Sequence, residues 1–367
     1  MKNGFILLAA LLVLPALPMR ADTPPRYKLT VLPFLLNAND DMDRLEVGGC
    51  LNGRGQVAGT RLVRVGSHTD YRTVLWQKGH ALRTLDKTPV AYNGGGGTSS
   101  IFPAAMNSRG DVVGGYYYTF DGASLGSGGS ALLWQGGRMI TLPGLPGGAV
   151  SVALGVSDTG LIVGNYLPYV GMGDDPLPPG VAGNHAFLWR AGHVKALWPG
   201  VARAVNDRGE VAGVWDDGGG DPWRDRGVLW RGGHVTFLKM QPIAINGRGW
   251  AAGSAYASEL KSRAYLWKAG QLIPLTKQIS KAYALNLRGD VVGEQDYPAS
   301  SHSPRATLWR RGQTYDLNRC VIRPRGWMLD TAVGINGKGW IVGRGSVYKS
   351  PSDKTQAREF TFLLTPL

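Results

Sequence analysis

Short apolar pairs separated by glycine-centred turns run the length of this chain. They follow one phrase: small–x–apolar–Asn–x–x–Gly–x–apolar–apolar–Gly. Its clearest copies are Ala204-Val205-Asn206-Asp207-Arg208-Gly209 and Ala284-Leu285-Asn286-Leu287-Arg288-Gly289, each continuing into an apolar pair and a glycine. Other copies centre on Asn52, Asn107, Asp158, Asn246 and Asn336. An Asn or Asp at the first position of a type I turn caps it through the side chain, and Gly at the fourth closes a bulged hairpin. The flanks, such as Val112-Val113 and Ile162-Val163, are β-prone. Each phrase therefore predicts a hairpin of strands a and b.

A second phrase supplies strand c, as in Val228-Leu229-Trp230 and Thr307-Leu308-Trp309, and a glycine turn then leads into strand d. Four short antiparallel strands per unit match a propeller blade. The last unit ends at Phe362-Leu363-Leu364 without a strand d, and a spare one, Leu29-Thr30-Val31-Leu32-Pro33, lies near the start. The expectation is an all-β fold: a seven-bladed β-propeller, residues 22–367, closed by an N-terminal strand completing the last blade, which would remove open edges.

The first residues change the picture of location. Lys2, the apolar run Phe5 to Leu17, and Ala21 read as a secretory signal peptide over residues 1–21. The chain is expected to be secreted or periplasmic, with no later membrane span, and to be a monomer. Removing Lys2 and Arg20 lowers the formal net charge of +14 by two. The remaining excess suits an anionic surface, although charge that only aids solubility explains it as well. Export permits a Cys50–Cys320 disulfide. The other units place Ala or Gly where Cys50 stands, so a small buried thiol fits equally.

The pairing of Asn-x-x-Gly-x-Val-Val-Gly with His185-Ala186-Phe187-Leu188-Trp189 resembles the HAF-repeat proteins, probable extracellular bacterial repeat proteins. The resemblance covers nearly all of the mature chain, although the literal His-Ala-Phe occurs once. It implies export and a repeat fold. It brings no activity or catalytic residues.

Candidate chemistry is sparse, and no catalytic residue is assigned. His68 and His302 stand outside the repeat grammar but lack a companion nucleophile or cysteine. Asp216, Asp217 and Asp221 crowd one loop as weak calcium candidates; the other features of a calcium loop are missing. No other cofactor is indicated. Trp198, Trp215, Trp223 and Trp327 break the tryptophan pattern of the repeats. The b–c loops and d-to-a crossovers emerge on one face, and variable loops on a rigid scaffold are where binding usually lives. That face carries Tyr117, Tyr166, Tyr169, Trp215, Trp223, Arg224, Tyr297 and Trp327, which suit sugar rings or a protein partner.

The first functional expectation is a non-enzymatic binding or scaffold protein that engages a polysaccharide or a cell-surface or extracellular protein. The rivals are a glycan hydrolase or lyase using loop carboxylates such as Asp216 or Asp221, and a nonspecific polyanion binder driven by basic charge.

Overall fold

The computed structural model describes residues 23–33, 50–65, 68–80, 82–85, 98–119, 128–142, 148–168, 184–216, 225–258, 261–297, 304–348 and 358–367. Residues 1–21, read as a signal peptide, lie outside them, as do Tyr169, Asp217, Asp221, Trp223, Arg224 and His302. Among the described residues the regular structure is β-strand, apart from one 3-10 turn at Leu317–Arg319. The all-β expectation holds.

Each repeat builds an antiparallel meander. In the sixth, Ser280–Leu285, Val291–Gln295, Arg305–Arg310 and Gln313–Asp316 pair in that order and serve as strands a to d. The fifth repeats this with Gln241–Ile245, Ala251–Ser258, Lys261–Lys268 and Gln271–Pro274. In the last repeat, strands a to c are Trp327–Ile335, Ile341–Val347 and Arg358–Pro366. The fourth place is taken by Tyr27–Leu32, antiparallel to Arg358–Pro366. The third and fourth repeats share one strand. His193–Val205 pairs first with His185–Arg190 and then with Val211–Trp215, with no crossover loop between.

The turns are built as the phrase requires. Asn286 Oδ1 accepts from the amides of Arg288 and Asp290, and Gly289 takes φ +85° to close the hairpin. The same carboxamide also reaches the next unit: Asn286 Nδ2 donates to the carbonyl of Asn336 at 3.3 Å. Asn52 reaches Asn107, Asn107 reaches Ser157, Asn206 reaches Asn246, and Asn246 reaches Asn286 in the same way. Asn336 then donates to the carbonyl of Asn52 at 3.0 Å, joining the last unit to the first.

In the third unit the turn position is Ser157, not Asp158. Ser157 Oγ accepts from the Leu161 amide at 3.1 Å, as the Asn side chains do elsewhere. Asp158 stands one residue on and faces sideways, where its carboxylate accepts from the Ser108 amide at 2.6 Å. An Asp one position late in the phrase cannot cap its own turn, and its charge is used between units.

The closing glycine of the phrase has a separate cause. Every described strand a carries a register shift opposite it, as at Ala282/Ala284 and Ala202/Ala204. That bulge presses a strand-a carbonyl against the glycine. A Cβ on Gly293 would overlap the carbonyl of Lys281 and come within 3.0 Å of Ala282 Cα; Gly213, Gly253 and Gly343 meet the equivalent backbone. Apolar residues beside these glycines pack between sheets. Val292, Leu308, Leu329 and Phe362, for instance, come from two units but share one cluster.

Both cysteines are buried free thiols in separate clusters, Cys50 with Leu75 and Leu132, Cys320 with Leu317 and Phe362. The disulfide alternative is not formed. Burial, aided by the charge of Asp316, pushes the Cys320 thiol up to about 11. These are packing residues, small and apolar in a tight interior.

Two outcomes are expected. Gly293→Ala forces backbone apart and should cost about 1–3 kcal/mol in denaturant unfolding, whereas Gly53→Ala, with nothing near its Cβ, should stay within about 0.5 kcal/mol. Deleting residues 23–33 uncovers Arg358–Pro366 and should lower Tm; equal melting of the two forms would show that the pairing contributes nothing.

Candidate functional site

The described aromatics of the predicted face do not converge. Tyr117 lies on strand Val112–Thr119 of the second unit. Tyr166 stacks on His185 in the third, with ring centroids 5.2 Å apart. Trp215 meets Phe237 edge-on at 5.6 Å, and Arg226 covers the same Phe237 ring at 4.0 Å. Tyr297 donates to or accepts from Thr307 at 3.3 Å beside Arg305, and Trp327 packs on Phe360 at 4.6 Å. The rings of Tyr166, Trp215, Tyr297 and Trp327 are each used inside their own unit. Trp198 is a core residue, with Nε1 donating to the Val214 carbonyl at 2.8 Å. Of the calcium candidates Asp216 alone is described, and no group of three His, Cys, Asp or Glu side chains placed to hold a metal occurs among the described residues.

The structure instead brings charge together where the fifth, sixth and seventh units meet. A cavity of about 230 Å³ is lined by Lys281, Glu294, Asp296, Ser262, Ile279 and Pro304, with Ser280 and Gln295 completing it. These come from the start of strand a, the end of strand b and the start of strand c, so the cavity opens at the loop-bearing end of the strands. Lys281 and Glu294 are direct cross-strand partners. Asp296 follows two residues after Glu294, about 6–7 Å along an extended chain. Its amide is fixed by donating to the Ile279 carbonyl at 2.9 Å.

Glu294 is half-buried and fully engaged. Tyr283 Oη donates to Oε1 at 3.2 Å, and Thr331 Oγ1 donates to Oε2 at 2.8 Å. Burial raises its pKa; the Thr331 and Tyr283 hydrogen bonds and the charges of Lys281 and Arg344 oppose that without cancelling it. Thr331 belongs to the next unit, and beside it stands Asp330, the extra residue of a second bulge in strand Trp327–Ile335. Asp330 accepts from Ser346 Oγ at 2.6 Å. Burial, with the charges of Glu359 and Glu294, pushes its carboxyl up to about 6 despite Ser346 and Arg344. The result is a network of acids and bases that can hold a proton near neutral pH, with Glu294 at the wall of a cavity.

Sequence reasoning missed Glu294, Asp296, Asp330 and Lys281, although a signal was present. The residue after the closing glycine is Thr60, Gly115, Asn165, Val214 and Ser254 in the first five units, then Glu294 and Arg344. Charge at a place where the repeat keeps uncharged residues marks the two units whose acids are linked through Thr331.

No family model matches the chain, and no curated relative does. Solved structures do. The β-propeller domain of the Trilobed protease from Pyrococcus furiosus is similar over 86% of this chain and 93% of its own, with 9% identity and TM-score 0.50. The acylaminoacyl peptidase of Pyrococcus horikoshii is similar over 86% of this chain and 50% of its own, with 10% identity and TM-score 0.49. A puromycin-hydrolyzing peptidase of Mycobacterium tuberculosis is similar over 90% and 56%, with 15% identity and TM-score 0.47. The chain spans about half the length of the acylaminoacyl peptidase structures it matches. The likeness to the protease propeller shows a β-propeller fold. The first expectation, a non-enzymatic binding scaffold, is corrected here: the likeness that shows the fold is to the propeller domain of a protease.

The Asp330 carboxyl has a consequence for stability. Its pKa is higher folded than unfolded, so the folded state binds the proton more tightly. Stability is therefore greatest below the unfolded value and falls as pH rises towards about 6. Asp330→Asn keeps an acceptor for Ser346 and removes the titration. The variant should show a flatter stability–pH curve between about pH 4 and 6 and a Tm above wild type at pH 8. Parallel curves for the two proteins would contradict the assignment.

Proposed function

We propose that this chain is a seven-bladed propeller hydrolase that cleaves a glycan, with Glu294 as general acid and Asp296 as the opposing carboxyl group. One observation carries the reading: two acidic residues in unlike environments, Glu294 half-buried with a raised pKa and Asp296 exposed, are among the residues lining the same cavity. Environments that push paired acids apart are what acid and base roles require. The blade count rests on seven repeats and on the Asn336-to-Asn52 bond. Closure rests on the pairing of Tyr27–Leu32 with Arg358–Pro366. Export, from the leader-like residues 1–21 and the HAF-type resemblance, would place the enzyme outside the cytoplasm, where polysaccharide is met.

In this mechanism protonated Glu294 gives its proton to the glycosidic oxygen as the C–O bond breaks. Water attacks the anomeric carbon and passes its proton to Asp296. The balance is one water consumed and one glycosidic bond lost. Tyr283 and Thr331 hold the Glu294 carboxyl in place, and Lys281 lies across the strand to steady the anion that forms. Asp330 acts through Glu294, since its negative charge favours retention of the Glu294 proton.

A second reading rests on the likeness to a protease propeller domain: a propeller that works beside a peptidase domain on peptides. The same assay separates the two. Release of reducing ends from a glycan panel is expected. Glu294→Gln and Asp296→Asn should each lower kcat by about 10²–10⁴-fold. Rate should fall as pH rises through the raised pKa of Glu294, and Asp330→Asn should move that limb to lower pH. Turnover of peptides in place of glycans, or full activity in Glu294→Gln, would overturn the glycan reading.

A further inference from the structure

A second cavity adjoins the first. It measures about 450 Å³ and shares Ser262 and Ile279 with the carboxyl-lined one. Its distinctive side chains are Tyr256, Tyr265, Lys261, Arg263 and Lys277, and no Asp or Glu is among its described lining residues. The wall between the two cavities is rigid. Ser262 Oγ donates to the Ser280 carbonyl at 3.1 Å, Ser280 Oγ accepts from the Ala264 amide at 3.0 Å, and Ser254 Oγ accepts from the Ala282 amide at 3.1 Å. Three cations and two tyrosines therefore surround a groove whose continuation holds Glu294 and Lys281.

We infer that the groove takes an anionic glycan, with a sugar carboxylate or sulfate held by Lys261, Arg263 and Lys277 while the neighbouring linkage lies at Glu294. This rests on the glycan reading above and names its substrate class. Tyrosine rings suit the apolar face of a sugar. The three cations come from different segments, the start of strand c and the crossover into the sixth unit, yet face one concavity. Lys261, Arg263 and Lys277 are solvent-exposed. A pyranose spans about 5 Å, so an acidic group one or two residues from the scissile bond falls within a continuous groove of this size.

Binding tests this apart from turnover. The full chain carrying Glu294→Gln is titrated calorimetrically with a hexauronate, a sulfated hexasaccharide and a neutral hexasaccharide. At least one anionic ligand should bind at least about tenfold tighter than the neutral one, and the better of the two identifies the carboxylate or sulfate source. Adding Lys261→Ala, Arg263→Ala and Lys277→Ala should weaken that ligand at least about tenfold, with Tm unchanged because the three are exposed. Tyr256→Ala should weaken all three ligands alike. Equal binding of neutral and anionic ligands, no binding of either anionic ligand, or retained affinity in the triple variant overturns the inference. Equal affinity for duplex DNA, lost in the triple variant to the same degree, also overturns it, since the site would then read charge alone. Anionic binding without any glycan turnover sinks the hydrolase reading and leaves the groove assignment standing.

Discussion

One carboxamide does two jobs in every repeat but the third, and the rest of the architecture depends on it. Its oxygen accepts two amides of its own turn, which fixes the hairpin. Its nitrogen donates to the neighbouring turn, which fixes the angle between units. A buried amide with both ends satisfied stabilises; one with either end orphaned costs on the order of 1–3 kcal/mol. The hairpin and the placement of the next unit are thus served by the same side chain. Arginines reinforce the arrangement: Arg288 Nη1 donates to the Gly337 carbonyl at 2.7 Å while pairing with Asp290.

The second constraint is steric. The bulge in strand a brings a carbonyl against strand b, and only glycine leaves room. The bulge also turns its extra residue out of the sheet's alternation. In most units that residue is unremarkable to the chemistry, such as Ala104 or Leu154. In the sixth it is Tyr283, which holds Glu294, and the seventh unit adds a bulge at Asp330. A device that every unit needs for geometry has become, in two units, the means of aiming polar side chains at each other.

Strand content and the repeating meander were legible in the sequence because they are periodic, and the partner of the last strand because one spare strand near the start reads like a strand d. The turn at Ser157 was misplaced by one residue because the acidic neighbour looks more like an Asn than a serine does, although Oγ reaches the same amide. The aromatic face was legible as a location but not as a site. Rings such as Tyr166 and Trp215 find partners two strands away or less, and such pairings carry no mark in a sequence. Glu294 and Asp330 were overlooked for the opposite reason. They lie on strands, and loops drew the attention, while the departure from uncharged residues at 294 and 344 becomes informative only once the seven units are aligned.

The shared strand His193–Val205 gives the ring an unequal grain. The Asn relay lacks its link from Ser157 to Asn206, and there Asp207 takes over, accepting the Asp158 amide at 2.7 Å. At the same junction the backbone crosses without a loop. In the fifth and sixth units the strands of neighbouring units are separate; here the two units are tied by the main chain itself. The third and fourth units therefore share one unbroken strand, a covalent tie that the fifth and sixth units framing the carboxyl-lined cavity do not have.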